Sequence, residues 1–343
     1  MKKDITRGIL LPAMALCAAA ACAAANEDSA RVTVANFVRA ESDTMIRANM
    51  AMMDTDFGEI THLRTPTTPE NQPVIRMNQD TLYSASILDL SNPVQVMLPE
   101  AGGRYMSMHV VSQDHYMLVE SEPGTYELTE EDVGTRFALL TVRTFVDITD
   151  PEDIEAVHAL QDAIAVEGGG GGPFEAPAWN GEDLGVARKA LSDLGALGFD
   201  TTYAFGSRDE VRPIDHLIGA GAGWGGLPAA AAYYTMGRVD ADDGETPHAV
   251  TVRDVPVDAF WSITVYNADG YLEANELGVN NYNDFTATPA EDGSYTLHFG
   301  GCEDGRVNCI PITPGWNYAV RMYQPQQEIL DGSWTFPAIE PVP

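Results

Sequence analysis

The residues whose types and spacing could do chemistry fall in a few short stretches. Asn78, Asp80, Tyr83 and Ser84 crowd the start of a β-rich run. An Asp there can orient or deprotonate a group, with the tyrosine beside it. It can equally bond its own backbone and fix a turn. Arg104, in GGRYMSMHVV, can neutralise Asp80 as an internal pair or grip a carboxylate with both arms of its fork. His109 and His115 flank a hairpin around Ser112, Gln113 and Asp114. With Asp114 they would offer imidazole and carboxylate ligands to a metal if register set them on one face. Two ordinary strand histidines are the simpler reading, and no metal is assigned.

Asp215-His216 precedes the glycine-rich GAGAGWGG. Neighbours in sequence do not face each other on a helix, so this Asp does not orient this His. Trp224 among the glycines is either a platform for a sugar or aromatic ring, or a buried plug. Arg208, Asp209, Glu210 and Arg212 read as an ion-pair cluster. Further on, Tyr266, Asn267, Asp269 and Tyr271 lie at a strand end, a usual ligand position, and Tyr and Asn suit polyol recognition. Asn-Ala-Asp-Gly is also good tight-turn chemistry. The catalytic candidates are therefore Asp80, Arg104, His109 and His216. The ligand-binding candidates are Asn78, Tyr83, Trp224, Tyr266 and Asn267.

Common catalytic signatures are missing. There is no GxSxG elbow, and Ser207 in FGSRDE lacks the second glycine. HExxH, a Rossmann fingerprint and an EF-hand loop are absent as well. The glycine run 168–172 lacks the lysine and hydroxyl residue of a phosphate loop, so it reads as a flexible linker. No cofactor is implied.

Around these residues the chain alternates between two textures. Helical spacing predicts helices over 31–54, 151–167 and 183–197, and in part over 209–236. From 80 to 148 come short β-rich runs separated by Asn92-Pro93, Gly102-Gly103 and Pro123-Gly124. That spacing predicts an antiparallel sandwich rather than a parallel sheet. The last third is β again. In AFWSITVYNA, Trp261, Ile263 and Val265 alternate with Ser262, Thr264 and Tyr266, so one set faces a core.

The chain has 343 residues, with 19 basic against 51 acidic side chains and a net charge of −32. Such a protein repels phosphate backbones, which excludes nucleic-acid partners. Its acidity is spread along the chain and suits a solvated surface in saline surroundings. Residues 1–25 have the layout of a secretory signal: Lys2, Lys3 and Arg7, then an apolar run, then small residues up to Ala25. Lipid attachment at Cys22 is the alternative processing. No later stretch is apolar enough to span a bilayer. Export implies an oxidising compartment, so Cys302 and Cys309 are expected to form a disulfide.

Three long blocks carry a family resemblance. VIRMNQDTLYSASILDL with GGRYMSMHVV resembles domain-of-unknown-function family 1254. VRDVPVDAFWSITVYNADGY with GWNYAVRMYQPQQEILDGSWTFP resembles family 1214, and FGSRDEVRPIDHLIGAGAGWGG fits the same pattern. The resemblance implies an N-terminal immunoglobulin-like β-sandwich over 31–150, a helical insert over 151–236 and a C-terminal jelly-roll-like β-sandwich over 237–343. Some relatives carry labels such as carboxylesterase, but the resemblance brings no catalytic motif. The expectation is an exported, mainly β protein, periplasmic or extracellular. It would be non-catalytic, binding a small molecule or glycan or associating with a surface, and homo-oligomeric by analogy with jelly rolls. The alternative is an ester or glycan hydrolase with a nonstandard inter-domain site.

Overall fold

The computed structural model describes residues 29–72 and 75–342. The expected signal segment, with Cys17 and Cys22, lies outside them. Strand outweighs helix, 29% to 22%, so the chain is mainly β. Among the described residues no helix is long and apolar enough to cross a membrane. The fold divides into two compact units, and neither is one continuous stretch of chain. Among the described residues, the N-terminal unit holds 29–66 together with Thr81–Pro228; the C-terminal unit holds Thr67–Asp80 with the chain from Ala229 onward.

In the N-terminal unit a five-stranded antiparallel sheet runs in the order Thr61–Leu63, Thr81–Asp89, Phe137–Phe145, Met106–Ser112, Met117–Glu120. A three-stranded antiparallel sheet, Gly124–Leu128, Val94–Leu98, Ala165–Gly168, packs on it. Leu88, Met108, Val110, Leu140 and Val142 meet Val94, Val96 and Leu98 in the core between them. The strands Thr81–Asp89 and Phe137–Phe145 are buried along their whole length, polar positions such as Ser84, Ser86 and Thr144 included. Helix Phe37–Met53 packs on Thr81–Asp89 and joins helices Gly181–Gly195 and Pro213–Ala222 through Phe37, Ala40, Leu184 and Ala220.

Local chemistry sets the helix ends. Asp150 caps Pro151–Asp162 by accepting from Glu152 N, and Asn180 caps Gly181–Gly195 by accepting from Asp183 N. The first of these stops five residues before the expected end, because Ala165–Gly168 pairs with the strand Val94–Leu98 instead. The glycine run is likewise not a free linker. Gly169 N donates to Pro93 O at 3.0 Å and Gly170 N to Asp89 O at 2.7 Å. A Cβ on Gly170 would sit 2.1 Å from Ser91 Oγ and 2.4 Å from Asp89 Oδ2, so a side chain there would force these two to shift. Composition alone suggests flexibility; close packing accounts for Gly168, Gly169 and Gly170, while Gly171 has open space around it.

In the C-terminal unit one antiparallel sheet runs Asn281–Asn283, Val257–Tyr266, Asn317–Pro325, Ala232–Gly237. The other runs Cys309–Ile310, Tyr295–Phe299, His248–Val252, Glu340–Pro341, with only its first pair parallel. Trp261, Ile263 and Val265 enter the core with Val320 and Met322, against Val250, Leu297, Phe299 and Ile310. The alternation read from the sequence thus places its apolar set inward. Cys302 and Cys309 form a disulfide. Closing so short a loop removes about 2–2.5 kcal/mol of denatured-chain entropy.

Candidate functional site

The face of the C-terminal sheet opposite that core is polar and buried. Period two fixes its membership: Ser262, Thr264 and Tyr266 on one strand, Arg321 and Tyr323 on the next. Asn281 and Asn283 come from the edge strand, opposite Thr264 and Ser262. Asp80 is fully buried against this face. Its Oδ2 accepts from Ser262 Oγ at 2.6 Å. Its Oδ1 accepts from Asn281 Nδ2 at 2.8 Å and Asn283 Nδ2 at 3.4 Å. Burial raises the Asp80 carboxyl above its ordinary range, against the charge of Arg321 and these three donors.

Arg321 holds the layer together. Nη1 donates to Thr264 Oγ1 at 2.9 Å, and Nη2 to Tyr266 Oη at 2.7 Å and Arg76 O at 3.0 Å. Tyr266 Oη in turn donates to Met77 O at 2.8 Å, and Asn78 Nδ2 to Tyr323 Oη at 3.0 Å. Asn78, Asp80 and Tyr266, chosen separately from the sequence, therefore share one network. Asp284 lies at its margin. Burial, with the nearby Asp80 charge adding, pushes its carboxyl up to about 6, and its Oδ1 is buried without a hydrogen-bond partner. Asn267 serves the turn chemistry: its Oδ1 accepts from Asp269 N and Tyr271 N at 3.1 and 3.0 Å.

The N-terminal unit holds a second grouping, a column of rings. Tyr116 stacks on His216 at 4.9 Å between centroids, His216 on His115 at 5.5 Å, and His115 leans on Trp224 at 5.7 Å. Arg208 caps the outer end, its guanidinium 4.5 Å from the Tyr116 ring centre. His115 occupies the hairpin turn at φ 62°. Gly225 N donates to its Nε2 at 2.9 Å, so its ring proton sits on Nδ1. His216 Nε2 donates to His115 O at 3.2 Å. Burial lowers the pKa of both histidines, which keeps the column neutral. Trp224 Nε1 donates to Ser42 Oγ at 2.9 Å, making it a packed core ring rather than an open platform.

Beside Tyr116 opens a cleft of about 240 Å³ lined by Tyr116, Leu118, Glu131, Asp132, Ser207 and Arg208. Ser207 Oγ donates to Glu210 Oε2 at 2.8 Å. The ion-pair cluster expected around Arg208 resolves differently: Arg208 lies on Tyr116, and Arg212 on the Tyr203 ring and near Asp200.

The remaining candidates scatter. The expected Asp80–Arg104 pair does not form. Arg104 donates to Asp153 at the start of a helix and to Phe145 O, while Asp80 faces Arg321. His109 is buried, with Nδ1 3.3 Å from Arg143 Nη1, and Arg143 lies over the Tyr83 ring at 5.4 Å. Burial and the arginine hold His109 well below its ordinary pKa. Asp114 Oδ1 accepts from Arg39 Nε at 2.9 Å. Among the described residues no group of three His, Cys, Asp or Glu side chains is placed to hold a metal ion. The sequence reading missed Arg321 and Asp284. An arginine inside the apolar run YAVRMY, at a position facing away from the core, was the available signal.

Fold and site together define a mainly β protein of two sheet-built units with a buried polar layer in the second. Residues 57–168 match the family Protein of unknown function (DUF1254) and residues 231–327 match the family Protein of unknown function (DUF1214), in that N-to-C order. A search of curated proteins finds no match. Among solved structures, the chain is similar to the VPA0106 protein of Vibrio parahaemolyticus, at 19% identity and a TM-score of 0.72, over 90% of this chain and 98% of that one. This likeness is one of fold. An uncharacterized protein from Burkholderia cenocepacia aligns over 90% of this chain and 86% of its own, at 17% identity and a TM-score of 0.45.

Proposed function

We propose that the chain is an exported, non-catalytic protein that binds a small polar molecule or glycan in the cleft beside Tyr116. The observation that carries this reading is the clamping of the Tyr116 ring between Arg208 and His216 on the cleft wall. A ring held from both sides costs little further entropy when a sugar face or a planar ligand covers its edge. Ser207, Glu131 and Asp132 supply hydroxyl and carboxylate groups around it. The groups that chemistry would need are engaged elsewhere: His115 Nε2 by Gly225, His216 Nε2 by His115 O, Asp80 by three side-chain donors. The disulfide is compatible with export.

Isothermal titration of the oxidised protein with neutral oligosaccharides tests the reading. Saturable binding that weakens at least about tenfold in Tyr116→Ala supports it; binding unchanged by that substitution contradicts it. A second reading, hydrolysis of an ester or glycan, is favoured by Asp284. A carboxyl raised to about 6 is suited to donate a proton near neutrality. Turnover lost in Asp284→Asn with the fold retained would select it.

A further inference from the structure

We propose that the C-terminal unit carries an oxyanion site at Arg76, accepting the carboxylate or phosphate group of a small ligand. This site is independent of the Tyr116 cleft.

Arg76 is anchored at its root from both sides. Its N–H donates to Gly270 O at 2.8 Å and its carbonyl accepts from Arg321 Nη2 at 3.0 Å. Its φ of 60° is unusual for a residue with a side chain, so the surroundings impose this conformation. The guanidinium lies over the Tyr266 ring, 5.5 Å from its centre. That ring is itself fixed through Arg321 and Met77. The head group of Arg76 is thus aimed rather than free.

Among the described residues its head group has no acidic partner. Its Nη1 is buried and has no hydrogen-bond partner. Buried guanidinium N–H groups are ordinarily satisfied, and an orphan asks for an explanation. In a chain with 51 acidic side chains against 19 basic ones, an arginine without an acid is a choice of position rather than a shortage of partners. Of the groups that reach Arg76, Tyr266 favours its charge, while Arg321 and Arg238 oppose it, and Arg238 is itself paired with Asp242 at 3.3 Å. Arg238 donates to Ala268 O at 3.3 Å, on the loop that carries Gly270. Burial and those like charges lower the Arg76 pKa, so its charged form is penalised as it stands. An oxyanion would satisfy the orphan donor and offset that penalty together.

The test uses the full oxidised protein, ¹⁵N-labelled, titrated separately with inorganic phosphate and with succinate, against sodium chloride at equal ionic strength. The site predicts saturable shifts of the Arg76 Nε–H and Gly270 amide signals with at least one anion and not with chloride. Saturation by succinate alone assigns a carboxylate ligand; saturation by phosphate alone assigns a phosphate ligand. Arg76→Gln should weaken the binding at least tenfold, and Arg238→Gln, at a half-exposed position, about threefold. If Arg76→Gln does not fold, the wild-type map and Arg238→Gln still decide. No saturation with either anion, or saturation mapping only to an adventitious ion elsewhere on the surface, would overturn the proposal.

Discussion

Ser262 donates a 2.6 Å hydrogen bond to Asp80, across 182 residues of chain, with both side chains fully buried. This contact ties the segment Thr67–Asp80 into the C-terminal unit, whose other residues begin at Ala229. The charge of Arg321 in the same layer opposes the effect of burial on the Asp80 carboxyl.

Removing Asp80 should therefore cost more than removing its neighbours. Asp80→Ala strands three buried donors, for an expected loss of about 3–5 kcal/mol. Ser262→Ala removes one donor and should cost about 1–2 kcal/mol. Urea unfolding at neutral pH checks the order. Equal losses would mean that Asp80 does not organise the layer.

Asp284 gives the opposite expectation. Its folded-state pKa of about 6 lies above the ordinary 3.8, so the folded state binds the proton more tightly. Its contribution is present below pH 3.8 and is lost as pH rises to 6. Asp284→Asn should stabilise the protein at pH 7 by about 1 kcal/mol, once its partial solvent exposure is allowed for. It should leave stability nearly unchanged at pH 3.5. Stability measured at the two pH values decides.

The histidine column responds in the other sense. His115 and His216 have pKa values lowered by burial, so the unfolded chain binds protons more readily than the folded one. Stability is full above pH 6.5 and falls as pH drops below it. Imidazole signals of His115 should show no titration between pH 8 and 6 by NMR. A midpoint near 6.5 for that ring would contradict the buried stack.

The glycine run offers a packing test. Asp89 and Ser91 sit where a Gly170 side chain would go, and Asp89 is fixed by two bonds from Arg136. Gly170→Ala should destabilise by about 1–3 kcal/mol. Gly171→Ala, whose Cβ meets nothing within 4 Å, should stay within about 0.5 kcal/mol. Similar effects at both positions would return the run to the status of a linker.

Much of the architecture is legible in local pattern. Period-two alternation in AFWSITVYNA sorts Trp261, Ile263 and Val265 inward, and Asp150-Pro151 marks a helix start. The Cys302–Cys309 bridge is the one expected from the spacing of the two cysteines. What local pattern does not carry is partnership across long separations. Asp80 and Ser262, or His115 and His216 at 101 residues apart, share no periodicity that would announce them. Residue type alone placed Arg104 with Asp80; helix geometry gives it Asp153 instead. Glycine is ambiguous for the same reason, since a flexible segment and a backbone crowded by neighbours use the same residue.

The central claim, recognition without turnover at Tyr116, meets its most direct test in one NMR experiment. Oxidised protein is incubated with an oligosaccharide or ester panel while protein and ligand signals are followed together. The account predicts saturable shifts around Tyr116, Ser207 and Arg208 that are lost in Tyr116→Ala, with every ligand intact after prolonged incubation. Product signals that appear with wild-type protein and vanish in folded Asp80→Ala or Asp284→Asn would contradict it.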